Sequence, residues 1–97
     1  MEITLELLRE FKERMHISHS SEDGNVKRLL SFSIEVLQSK CGAFDVEENT
    51  RAKELVFERT RYLYNDAVEY FEDNFLSEIT SLGLSIALKE DESDAAV

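Results

Sequence analysis

His16 and His19 stand three residues apart, with Glu22, Asp23 and Cys41 as further side chains of the kind that ligate zinc. The spacing is common, and both histidines fall in the polar run HISHSSEDGN, so no metal and no cofactor is expected. Glu69, Glu72, Asp73 and Glu78 could supply an acid/base pair, which requires an environment that drives two carboxyl pKa values apart. Nothing in their neighbourhood marks a cleft, and a solvated acidic face is the plainer reading. Phosphate-binding glycine loops, dinucleotide fingerprints and the nucleophile turn G-x-S-x-G are all missing. No catalytic residue is assigned, and an enzyme is not expected. Arg59 and Asp66 are of a different kind, because a helical projection points both toward an apolar face. Charges there need each other, a second helix or subunit, or a route to the edge of the face, and the last is favoured.

The elements that must position these groups are helical. Ninety-seven residues make one domain, without proline and with only three glycines. The composition is rich in good helix formers and points to an all-α fold. The lone Cys41 lies among apolar residues and reads as a buried thiol in a reducing compartment. No signal peptide or membrane-spanning run is present in the sequence, so a soluble, intracellular protein is expected. Eleven basic residues against 21 acidic ones give a formal charge of −10, and the basic residues are dispersed among acids. Such a surface repels a phosphate backbone, and no specific nucleic-acid binding is expected.

Four helices account for the apolar periodicity. Thr4 caps the first, whose Leu8, Phe11 and Met15 share a stripe, and Ser20 with Asp23 forms a capping box for the second. The second runs from about Glu22 to Cys41, with Val26, Leu29, Leu30, Ser33, Ile34, Val36, Leu37 and Cys41 sharing a broad arc, and stops at Gly42. A third starts near Asn49 or Thr50 and continues to about Asn74 as the long central element. Residues 76–88 form a short fourth helix capped by Ser77, since no second strand exists to pair with them. The domain spans residues 1–88, and the acidic, non-periodic residues 89–97 form a disordered tail.

The segment RYLYNDAVEYFEDNF, residues 61–75, holds five of the nine aromatic residues, mixed with acids. On a continuous helix, Ala52, Leu55, Val56, Tyr62, Leu63, Ala67 and Tyr70 face the domain core. Phe57, Tyr64, Val68, Phe71 and Phe75 form a second apolar row, at the successive spacings of a helix face. That row is either covered by the other helices or meets another subunit, a use that suits tyrosine with its apolar body and polar tip. Glu54, Glu58, Glu69 and Glu72 belong to the remaining polar wedge and keep it wet.

The order ITLELLREFKERMHIS, polar loop, VKRLLSFSIEVLQSKCG, then AKELVFERTRYLYNDAVEYFEDNF and SEITSLGLSIAL resembles the small head-tail connector, or adaptor, proteins of long-tailed bacteriophages. The resemblance spans roughly residues 3–88, and RYLYND, Arg61 to Asp66, is its most suggestive segment. It implies a structural virion protein that leaves the host cytoplasm to join a ring of its own copies, often dodecameric, beneath the portal protein after DNA packaging. Such a ring extends the DNA channel and docks the stopper or tail-completion protein. Under this implication the second aromatic row is the subunit or portal contact, and the acidic wedge lines a channel through which DNA slides. An alternative is a small acidic helical regulator that binds a basic protein surface as a nucleic-acid mimic. That alternative explains the charge equally well, and the double apolar face less well unless the protein dimerises.

Overall fold

A computed structural model describes residues 3–95, with side chains through residue 89. Four α-helices occur in it, α1 Leu5–Met15, α2 Asp23–Cys41, α3 Thr50–Tyr64 and α4 Phe71–Ala95, and no strand is found among the described residues. The all-α expectation holds.

Helix α1 begins where Thr4 Oγ1 accepts the Leu7 amide at 3.1 Å. It ends at His16, whose φ of 59° lies in the left-handed region. There the His16 and Ile17 amides bond back to the Glu13 and Lys12 carbonyls, closing the last turn in a Schellman pattern. The expected capping box on α2 does not form: α2 has no side-chain cap, and the Asp23 carboxylate instead accepts from Lys12 Nζ of α1 at 2.7 Å. Gly42 stops α2 as expected, with φ 102°; a methyl group added there would lie 3.1 Å from Ile86 Cγ2, so α4 passes close over this turn. Asn49 Oδ1 accepts the Ala52 amide at 3.0 Å and starts α3.

The continuous third helix expected to reach Asn74 is interrupted. At the end of α3 the Asp66 amide bonds to the Leu63 carbonyl and the Ala67 amide to the Tyr62 carbonyl, a second Schellman closure with Asp66 at φ 55°. Asp and Asn tolerate the left-handed region better than most residues. Asn65 adds its own side-chain bond to the Arg61 carbonyl at 3.0 Å. A single 3-10 turn, Val68–Tyr70, then leads into α4. The longest element is therefore the fourth helix. Ser77 lies inside it and not at its start, and its irregularity falls at Phe75, with φ −121°. Beyond Phe75 its backbone is helical as far as Ala95. Ala96 and Val97 lie outside the described residues.

The core forms where α2 packs on α3 and α4, with α1 laid against α2. Phe11, Val26, Leu30, Ile34, Leu37, Val56 and Leu82 are all fully covered. Burying a side chain of this size contributes about 1.5–3 kcal/mol each against the chain entropy lost on folding. At the α2/α3 contact the buried Ser33 and Thr60 hydroxyls hydrogen-bond to each other at 3.0 Å, and Thr60 also donates to the Val56 carbonyl at 2.7 Å. No buried side-chain donor or acceptor among the described residues lacks a partner.

Candidate interaction surface

The break at Asn65–Ala67 redistributes the aromatic row. Phe57 is buried, its ring edge-on to Phe11 of α1 at 5.6 Å, with the Arg14 guanidinium 5.7 Å from its centroid. Phe71 is buried too, 5.7 Å from the ring of Tyr62 and stacked on Phe75 at 5.0 Å. Both are core residues, and their assignment to a subunit or portal contact is corrected. The cause is the same in each case: another helix of the same chain covers the face, α1 over Phe57 and the reversed α4 over α3. Val68 and Phe75 are half-buried and packed against that core. Tyr64 is half-buried as well, and its hydroxyl donates to Glu22 Oε2 at 2.9 Å, tying the end of α3 to the start of α2. The carboxylate acceptor favours the protonated phenol and pushes its pKa up, with burial acting in the same sense. Tyr70, expected in the core, is 61% exposed, because the 3-10 turn rotates it off the face that a continuous helix would have given it.

The acidic wedge is also divided. Glu58 bridges Arg14 of α1 at 3.4 Å and Arg61 at 2.7 Å, while Glu54 meets Arg14 at 3.0 Å. These two are ends of ion pairs that hold α1 to α3. Glu69, on the 3-10 turn, and Glu72, on α4, are exposed and lie beyond the break. Glu72 pairs with Lys40 of α2, whose ammonium holds the carboxyl below its usual range. The four carboxylates do not run along one helix.

An open apolar face remains on α4. Ile79, Leu82 and Ile86 point into the core, whereas Leu76, Leu84 and Leu88 are 60%, 60% and 54% exposed. Their spacings of eight and four residues make a ridge that winds slowly around the outer side, with Thr80 between the first two. From Asn74 to Leu88 the only charged residue is Glu78, in a chain that is 33% charged. Sequence reading missed this ridge. Its signal was present in the alternation of Leu82, Leu84, Ile86 and Leu88, which on a helix places leucines on two faces.

Arg59 and Asp66 part company. Asp66 is exposed on the break and does not meet Arg59. Arg59 reaches back to α2, donating to Ser33 Oγ at 3.4 Å, and lines a cavity of about 210 Å³ together with Lys40, Phe71 and Glu72. Burial pushes its guanidinium pKa down, with Glu72 opposing.

His19 Nδ1 lies 2.9 Å from the Ser21 hydroxyl, and Cys41 is buried with its thiol donating to the Ile79 carbonyl at 3.4 Å. Among the described residues no three His, Cys, Asp or Glu side chains gather as a metal site, and no helix is long and apolar enough to cross a membrane. Comparison with protein-family models, with curated proteins and with solved structures gives no match.

Proposed function

We propose that this chain is a structural head-tail connector of a long-tailed bacteriophage, assembling as a ring on the portal protein after DNA packaging and receiving the stopper or tail-completion protein. The observation that carries the reading is the open face of α4, where Leu76, Leu84 and Leu88 stand exposed in a stretch with a single charge. An acidic chain can bring its own copies together only where the mutual repulsion of its surface is relieved, and this is such a place. The pattern of helices and the RYLYND segment supply the resemblance to connectors. The remaining acidic surface suits a channel wall along which DNA moves without binding.

Deleting the gene from its phage or prophage tests the reading. The expected products are DNA-filled heads and free tails that do not join, visible by negative-stain microscopy. Normal tailed, infectious particles would contradict it. A regulator of basic proteins would instead leave joining intact and alter an earlier or unrelated step.

A further inference from the structure

We propose that the cavity before Arg59 receives a carboxylate side chain from a second copy of this chain. The cavity lies where α2, α3 and the start of α4 meet, and its volume is about 210 Å³. Val36, Leu37 and Phe71 give it apolar walls that suit the methylenes of an acidic side chain, and Arg59 stands where the carboxylate would end. A guanidinium carries five N–H donors. Among the described residues that of Arg59 donates to Ser33 Oγ at 3.4 Å and has no carboxylate within ion-pair distance. Glu72, which lines the same pocket, is held by Lys40, so these three side chains leave one net positive charge. One incoming carboxylate neutralises it.

The identity of the occupant follows from charge. This chain has 21 acidic residues against 11 basic, and Lys12, Arg14, Lys40, Lys53 and Arg61 already have carboxylate partners within it. Exposed Glu35, Asp73 and Glu78 have no ion-pair partner among the described residues and are available to enter the pocket as acceptors. A pocket on one copy filled by an acid on the next, when the contact is not returned by the same pair of copies, is head-to-tail, the kind that closes rings when its rotation permits. The inference therefore rests on the assembly reading and deepens it by naming the groups that meet.

The test uses the full chain, with acetate as the probe of the pocket. In the wild type, sodium acetate at constant ionic strength should shift the Arg59 Nε–H and Ile79 methyl resonances saturably, and sodium chloride should not. Arg59→Gln should abolish the acetate response and weaken self-association by roughly tenfold or more, measured by sedimentation free and on the portal. Arg59→Lys, which keeps the charge, should retain part of both and serves as the comparison if the glutamine variant unfolds. No saturable acetate shift overturns the inference. So does acetate binding in a wild type that associates with itself neither free nor on the portal, since the occupant is then another protein. Entry of folded Arg59→Gln into portal assemblies at wild-type strength overturns it while leaving the connector reading standing; failure of the wild type itself to bind portal removes that reading.

Discussion

Tyr62 and Phe75 meet edge to face at 5.8 Å across a break in the chain, although a single helix through both would set their side chains on separate turns far apart. Their contact exists because α3 ends at Tyr64 and the chain reverses through Asn65–Asp66–Ala67. Phe71 joins the same cluster, and Asn74 Nδ2 donates to the Tyr62 hydroxyl at 3.0 Å. The aromatic richness of residues 61–75 thus closes an internal helix junction.

That junction predicts opposite effects for two small substitutions. At Asp66, φ 55° favours glycine over alanine, since a Cβ in the left-handed region costs roughly 1–2 kcal/mol. Urea unfolding should find Asp66→Gly more stable than Asp66→Ala by about 1 kcal/mol. The reverse order, in which alanine wins, would mean that residues 50–74 form one continuous helix.

Two leucines of α4, two residues apart, should separate folding from assembly. Leu82 is fully buried and Leu84 is mostly exposed. Leu82→Ala should lose about 2–5 kcal/mol of stability, whereas Leu84→Ser should stay within about 0.5 kcal/mol of the wild type. Equal losses would place Leu84 in the core and remove the ridge.

Much of this was legible in the sequence. Thr4, Gly42 and the stripe containing Phe11 mark the ends and inner face of the first two helices, because caps and periodicity act locally. The end of α3 was not legible by the same means: apolar spacing continues through Val68 and Phe71, and the stop is made by Asn65 and Asp66 without a glycine. Once that stop was missed, Phe57 and Phe71 looked surplus to the core. Phe57 is buried because α1 arrives from a distant part of the chain, and Phe71 because the chain reverses after Tyr64, neither of which the apolar spacing records. The outward leucines of α4 were visible as letters, but their exposure follows only from the side that α2 and α3 occupy.

Cys41 should resist alkylation in the native state. Its thiol is buried, bonded to the Ile79 carbonyl, and burial pushes its pKa up, so little thiolate forms near neutrality. Iodoacetamide labelling should track unfolding as urea is raised. Rapid labelling of folded protein would show that the α2/α4 contact opens on its own.

The Lys40–Glu72 pair gives stability a pH dependence of known sign. The Glu72 carboxyl is held below its ordinary value of 4.5, first by the hydrogen bond from Lys40 and then by its charge. A depressed carboxyl stabilises the fold above its unfolded-state pKa, and that contribution is lost as pH falls through the folded one. Wild type should therefore exceed Glu72→Gln by a small constant margin at neutral pH, with the two thermal midpoints converging in acid below the usual carboxylate range. A margin that persists or grows in acid would contradict the pair.

Cosedimentation with the portal protein encoded in the same genome bears most directly on the connector reading. Wild-type chain should travel with portal rings in a fixed stoichiometry, and a Leu76→Ser, Leu84→Ser, Leu88→Ser variant with an unchanged circular-dichroism spectrum should remain in the supernatant or bind in greatly reduced amount. Absence of wild-type binding, or equal binding by the folded triple variant, would contradict the account.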